Sequence, residues 1–200
     1  MSQTLPTVPP TMPETTAARL VAVDHPVTHD EWVTEWTTRE ERYELVDGIP
    51  LMTPPEHPDN VEATSELAFF LRGALGNDWR CLPGVGVRIT AGPRPTYRVP
   101  DLVVQLHGAT RELPLDPAPI ALIVEALSPS TRDEDLGRKR RDYASVGIPS
   151  YLILDRRHNP HFTLLTDPGD EDYCAESTGD SLTLHIAGPD ITIHANDLLR

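Results

Sequence analysis

A mixed β-sheet flanked by helices, in an α/β or α+β domain, is the fold class this sequence predicts, and three stretches carry the prediction. Residues 120–127, IALIVEAL, form a short β-branched run closed by Ser-Pro, the pattern of a strand buried on both faces. A charged helix to about Val146 and a second short apolar run, YLILD at 151–155, follow it, so strand, helix and strand make one crossover unit. Residues 59–75 place apolar side chains at 61, 67, 68, 70, 71, 74 and 75, a helical spacing that calls for a core to pack against. The rest of the chain falls into strand-length pieces separated by Gly, Pro and Asp, and helices covering a sheet accommodate that order.

Residues 1 to about 27 come first, with Pro6, Pro9, Pro10, Pro13 and Pro26 among many threonines, and read as a disordered or loosely attached arm. Residues 28–200 then form a single domain. Thr28 and Glu31 have capping-box spacing and open a short helix whose apolar side is Trp32, Val33 and Trp36. YELVDGIPLM splits around Asp47-Gly48 into a hairpin with strands near 43–46 and 49–52, and Pro54-Pro55 ends it. Gly76-Asn77 closes the helix that begins at Asp59, with Glu62 and Glu66 facing water. Strands are expected at 85–90 and at 97–106, the latter with Pro100 near its start, where proline is tolerated. Thr131 and Glu134 form a second capping box ahead of the crossover helix, and Gly147 caps its end. HFTLL, DYCAE, SLTLHIA and DITIHA suggest an antiparallel C-terminal extension.

Composition narrows the functional classes. Two hundred residues, 38% of them apolar, are enough for one ordinary core. Cys81 and Cys174 lie far apart with no CxxC spacing, which argues against thiolate metal sites and a disulfide framework and for a reducing cytoplasm. The N-terminus shows no signal-peptide pattern, and no apolar run approaches membrane-spanning length. The net charge of -14 argues against loose electrostatic binding to nucleic acid. It is uneven, however: residues 167–200 hold eight acids against Arg200, whereas Arg132, Arg138, Lys139, Arg140, Arg141, Arg156 and Arg157 could form a local basic face.

The chemistry centres on a buried charge. Glu125 sits inside IALIVEAL, where an ionised carboxylate is costly without a partner. Asp101 stands just inside another apolar strand behind Pro100. If those strands are neighbours, Asp101 and Glu125 converge at one edge of the sheet, and with the Ala126 carbonyl they make a hard-oxygen site for Mg²⁺ or Mn²⁺. The same residues also allow a plainer reading, in which Asp101 starts a strand and Glu125 pairs with an arginine. Lys139 lies between Leu136 and Tyr143 on the stripe predicted to face inward, with Asp135 four residues before it. It either snorkels outward or reaches the carboxylates. Glu44 shares a hairpin face with Val46. No histidine spacing suits zinc, no G-x-S-x-G elbow surrounds Ser128, and VPGVGV lacks the lysine of a phosphate loop.

YELVDGIPLMTPP, VPDLVV and IVEALSPSTRDEDLGRKRRDYASVGIPSYLILD together resemble the Uma2 family, restriction endonuclease-like proteins placed with the PD-(D/E)XK nucleases. The resemblance spans about residues 30–165 and is most specific in the last segment. It implies a restriction endonuclease-like core in which Pro100-Asp101 and Glu125 supply the motif carboxylates. Leu127 occupies the usual lysine position, for which Lys139 is the substitute, and Glu44 matches the acidic residue of the first hairpin. The family's helix histidine falls on Asn60, with His57 three residues early. The resemblance further implies a metal-dependent endonuclease acting on DNA, for which a homodimer is a natural way to cut both strands. The alternatives are a nuclease fold retained as a binding module and a nuclease for RNA or structured nucleic acid.

Overall fold

The computed structural model describes residues 18–199 except 187 and 189. It is a mixed α+β fold built on two main sheets, and its site lies where they meet. The first 17 residues of the expected arm lie outside the described residues. Residues 18–27 depart from that expectation by lying against the hairpin. β1 (Arg19–Leu20) pairs antiparallel with β3 (Ile49–Thr53). The Val21 N–H then donates to Pro50 O, the Val27 N–H donates to Gly48 O, and Val27 is buried. The valines among these residues supply the apolar contact that a reading of the prolines alone overlooks. Val21 and Val23 pack against a cluster of Val27, Trp32, Trp36, Leu45 and Tyr97.

The capping box at Thr28 and Glu31 forms in both directions and opens α1 (His29–Glu31). This helix widens at once into a π-turn, Trp32–Trp36, which turns both tryptophans inward. β2 (Arg42–Val46) and β3 form the expected hairpin, with Asp47 and Gly48 at φ of 52° and 77°, as a type I′ turn requires. α2 (Pro58–Leu75) follows and ends at Gly76, whose φ is 68°. Its inward face is Asn60, Ala63, Thr64, Leu67 and Leu71, while Val61 and Phe70 of the expected stripe are substantially exposed.

β4 (Trp79–Pro83) was not legible as a strand. β5 (Val87–Thr90) matches the expected strand, but the single strand expected over 97–106 is two. β6 (Thr96–Arg98) joins the hairpin sheet, ordered β1-β3-β2-β6-β5. β7 (Leu102–Leu106) belongs to the larger sheet. The division falls at Val99-Pro100-Asp101, where proline has no N–H to continue a ladder. The larger sheet takes the order β11-β10-β9-β8-β7-β4, with β8 (Ile120–Ala126), β9 (Ser150–Leu154), β10 (Phe162–Pro168) and β11 (Tyr173–Gly179). β8 and β9 are parallel and joined by the crossover helix α3 (Lys139–Ser145), which is preceded by a π-turn at Glu134–Arg138. β12 (Ser181–His185) and β13 (Asp190–His194) make a separate hairpin before α4 (Ala195–Leu198), so the C-terminal extension is antiparallel as expected.

Alternation along β8 divides the core. Leu122, Val124 and Ala126 pack on the side of α2 and the C-terminal hairpin. Ile123 and Leu127 pack on the opposite side with Tyr143 of α3 and with Tyr151 and Ile153 of β9. Glu125 belongs to this second side by period, so it points toward α3.

Candidate functional site at the junction of the two sheets

β7 and β8 run antiparallel with Leu102 opposite Val124, a register that sets Asp101 opposite Glu125 at the end of the ladder. The Ala126 N–H donates to Asp101 Oδ2 at 2.8 Å, fixing one carboxylate against the strand that carries the other. Both are buried, at 8% and 2% exposure, so the convergence expected from sequence is present.

Lys139 reaches inward. Its Nζ stands 2.9 Å from Glu125 Oε1, 2.9 Å from Asp135 Oδ1 and 3.4 Å from Glu44 Oε1. The contact with Glu125 is an aligned hydrogen bond, whereas the one with Asp135 is an ion pair without good hydrogen-bond alignment. The Tyr143 O–H donates to the same Glu125 Oε1 at 2.8 Å. The snorkelling alternative is therefore excluded. The stripe that places Lys139 differs from the expected one, because the π-turn at 134–138 shifts the register: Asp135, Lys139 and Tyr143 are buried, while Leu136 is 39% exposed. The capping box expected at Thr131 and Glu134 does not form. The Thr131 hydroxyl instead donates to Asp135 Oδ2 at 2.6 Å, which orients the carboxylate beside Lys139.

Glu44 arrives from β2 of the other sheet. Its Oε2 accepts from Arg98 Nη1 at 2.8 Å and its Oε1 from the Val99 N–H at 3.2 Å. Arg98, fully buried, continues outward to Asp142 and Glu134 of the crossover. Arg42, two residues before Glu44 on the same strand face, lays Nη1 and Nη2 at 3.3 and 3.4 Å from Asp101 Oδ1 and also donates to Val99 O. Glu56, from the loop before α2, lies 3.9 Å from Arg42 and accepts from Asn60 Nδ2 at 3.3 Å. Asn60 Nδ2 also lies 3.3 Å from the Ala126 and Leu127 carbonyls. Asn60 thus occupies the site side of α2, whereas His57 caps the helix by accepting from the Asp59 N–H and remains half-exposed.

The electrostatics follow from this crowding. Seven carboxylates, Glu44, Glu56, Asp101, Glu125, Asp135 and, around Arg98, Glu134 and Asp142, face three cations, Arg42, Arg98 and Lys139, a formal surplus of four negative charges. Burial pushes Glu125 well above the usual carboxylate range, and Asp101, Asp135 and Glu44 add to the rise against the pull of Lys139. Burial also raises Asp101, with Arg42 and the Ala126 N–H opposing. Glu56 is pushed up to about 7 by burial and by repulsion from Asp101. For Glu44, burial is outweighed by Lys139 and Arg98, which hold it at about 2. Burial likewise disfavours the Lys139 ammonium, but Asp135, Glu125 and Glu44 prevail and raise it well above the ordinary lysine range.

Among the described residues no group of three His, Cys, Asp or Glu side chains is arranged to hold a metal ion. A Mg²⁺ or Mn²⁺ site needs less, since such ions are held by one or two carboxylates with waters and phosphates completing the shell. Asp101, Glu125 and the Ala126 carbonyl are hard oxygen donors of that kind, and the excess of carboxylates over cations around them suits a divalent cation. The donor set fits.

The basic face expected from the arginines after residue 131 is largely cancelled. Arg132 pairs with Asp155, Arg138 with Asp47, Arg140 with Asp172 and Glu176, and Arg156 with Asp59. Sequence reasoning missed Arg42, Arg98 and Glu56. Arg42 had a signal, because it shares the period-two face of Glu44. Glu56, in a Pro-Pro loop without periodicity, had none.

No curated protein matches the sequence. A solved structure from Anabaena variabilis, described as "a putative nuclease belonging to DUF820", superposes with a TM-score of 0.65 at 16% identity, over 87% of this chain and 98% of that one. That likeness establishes a shared fold. Among the described residues no helix is long and apolar enough to cross a membrane. The family Uma2, described as "Putative restriction endonuclease", matches residues 30–196, a span that holds every site residue described above, and the chain belongs to that family.

Proposed function

We propose that the protein is a metal-dependent endonuclease that hydrolyses DNA phosphodiester bonds through a PD-(D/E)XK-like site. Asp101, Glu125 and the Ala126 carbonyl would hold Mg²⁺ or Mn²⁺. When bound, such an ion supplies Lewis acidity toward a phosphoryl oxygen and lowers the pKa of a coordinated water. Lys139, steadied by Asp135 and Glu44, orients the attacking water or neutralises charge developing on the phosphate. Glu44 acts as a positioning residue, because its oxygens are engaged by Lys139, Arg98 and the Val99 N–H. Tyr143 fixes the Glu125 oxygen that Lys139 shares. A homodimer would present two such sites to the two strands of a duplex, and the free cysteines Cys81 and Cys174 suit a reducing cytoplasm.

The observation that carries this reading is the cross-strand setting of Asp101 and Glu125 with the Lys139 Nζ 2.9 Å from the Glu125 carboxylate. Plasmid cleavage with Mg²⁺ or Mn²⁺ tests it. Wild-type protein nicks or linearises the plasmid and Glu125→Ala does not; equal cleavage by both overturns the assignment. A second reading, a nuclease fold kept as a binding module, is favoured by Arg42 and Lys139, which already neutralise Asp101 and Glu125. Calorimetric titration with Mn²⁺ separates the two: heat that disappears in Glu125→Ala supports the enzyme, and no heat from wild type supports the module. A panel of duplex, single-stranded and RNA substrates decides among nucleic acids.

A further inference from the structure

At the β4 edge of the larger sheet, Arg80 stands opposite Gln105 of β7. Arg72 of α2 and His107 and Arg111 of the loop after β7 gather around it, and with Trp79 and Cys81 they line a cavity of about 630 Å³. No carboxylate lines this cavity. In a chain of net charge -14 that is a conspicuous exception, because the arginines after residue 131 mostly meet acids. Among the described residues, no Asp or Glu lies within ion-pair reach of Arg72, Arg80 or Arg111. Arg80 Nε and Nη1 are buried without a hydrogen-bond acceptor. The Gln105 Oε1 across the ladder is unpartnered too, but it is neutral, and pairing with it would leave the charge uncompensated. A buried guanidinium nitrogen lacking an acceptor is costly, so the charge of Arg80 calls for an anion at the cavity.

The cavity is also well placed for a long ligand. The Gly84 N–H donates to Asp101 O at 3.2 Å. Arg80 lies four residues back along the same strand, about 14 Å away, the rise of about four base pairs of duplex. That separation is within the length of one short duplex.

We propose that Arg72, Arg80 and Arg111 form a phosphate-binding site that holds the backbone of the duplex whose scissile bond lies at Asp101 and Glu125. This rests on the nuclease reading. It supplies the local positive surface that the net charge otherwise denies the protein. Arg80 contributes through Nη2, since Nε and Nη1 are closed to solvent, and Arg72 and Arg111 add charge from exposed positions.

Fluorescence anisotropy with a labelled 20-base-pair duplex in EDTA, repeated over a series of KCl concentrations, tests the site with cleavage disabled. Arg80→Gln weakens binding about tenfold, and the slope of log K against log salt falls by about one. Arg72→Gln with Arg111→Gln lowers the slope by about two, and Arg80→Lys, which keeps the charge, restores most of it. Wild-type affinity and slope in the Arg72/Arg111 double variant overturn the proposal even if Arg80→Gln fails to fold, and so does an absence of duplex binding by wild type. Glu125-dependent cleavage with unchanged Arg80→Gln binding removes this site alone. A reduced slope with cleavage indifferent to Glu125 removes the catalytic assignment alone.

Discussion

Replacing Lys139 with methionine keeps most of the volume of the side chain and removes the charge that holds three acids together. The ammonium lies 2.9, 2.9 and 3.4 Å from Glu125, Asp135 and Glu44. At an effective dielectric of about 20, each contact is worth about 5 kcal/mol before desolvation. Most of that offsets the cost of taking these groups out of water, but the cost to the carboxylates remains when the lysine is gone. Breaking a buried pair from one side costs about 3–5 kcal/mol, the loss expected for Lys139→Met in urea unfolding at pH 7. The loss should depend on pH in a definite direction. Burial and its acidic neighbours already raise Glu125, so its folded-state pKa lies above the unfolded one. Stability is then fullest at low pH, where the group is protonated, and declines as pH rises through the folded-state pKa. Without Lys139 this decline steepens, so the penalty at pH 5 is smaller than at pH 8. Adding Glu125→Gln to the variant recovers part of the loss. A loss below about 1 kcal/mol at pH 7, or the same loss at both pH values, refutes the reasoning.

Other perturbations probe the surroundings of this cluster. Glu56 has a folded-state pKa of about 7 against 4.5, so its contribution to stability is complete below about pH 4.5 and lost as pH rises through about 7. Glu56→Gln should flatten the stability profile in that window by about 1–2 kcal/mol after discounting for partial exposure, and an unaltered profile would count against the burial of that carboxyl. Arg42→Ala removes a cation from Asp101 and should tighten Mn²⁺ binding about tenfold by calorimetry, whereas weaker or equal binding would mean that Arg42 does not compete with the ion. Gly48→Ala combines a φ of 77° with a Cβ 2.7 Å from the Pro26 Cβ, so it should cost about 1–2 kcal/mol in thermal or chemical unfolding. Wild-type stability in that variant would mean that residues 18–27 do not press on the hairpin turn.

Apart from the Thr131–Glu134 capping box, which a π-turn replaces, features fixed by neighbours in the chain were legible in the sequence. Thr28 and Glu31, the Asp47-Gly48 turn and Gly76 depend on contacts across a few residues, and each forms as its spacing implies. Features fixed by distant partners were not. WRCLP has no alternation to mark it, and β4 becomes a strand only by pairing with β7. Val99-Pro100-Asp101 reads as the start of one strand because proline is tolerated there, yet the same missing N–H lets the chain leave one sheet and enter the other. That change of sheet is what brings Glu44 and Arg42 across to the carboxylates of the larger sheet. At Lys139 the inward direction was legible but its register was not, since a π-turn is invisible to a period of 3.6 residues. Asn60 is the contrasting case: the family resemblance set it at the position of the helix histidine, and it is buried against the Ala126 and Leu127 carbonyls.

In the proposed site, carrying the lysine on the helix would have a physical basis in packing on the two sides of β8. Leu127, two residues beyond Glu125, is 7% exposed and belongs to an apolar cluster with Tyr143, Tyr151 and Ile153. An ammonium in that cluster would give up water among apolar side chains. From α3 the ammonium approaches the same Glu125 oxygen along a path lined by Asp135 and Glu44, so its burial is compensated three times over. The constraint on such a site is where the ammonium nitrogen ends up, and a strand or a helix can deliver it. Placing it on the helix has a further consequence. Lys139 now depends on Glu44 of the other sheet, so the geometry around Glu125 depends on the docking of two sheets as well as on one strand. A perturbation at that docking surface, even one far from Asp101 and Glu125 in sequence, should therefore reach the carboxylates through Lys139.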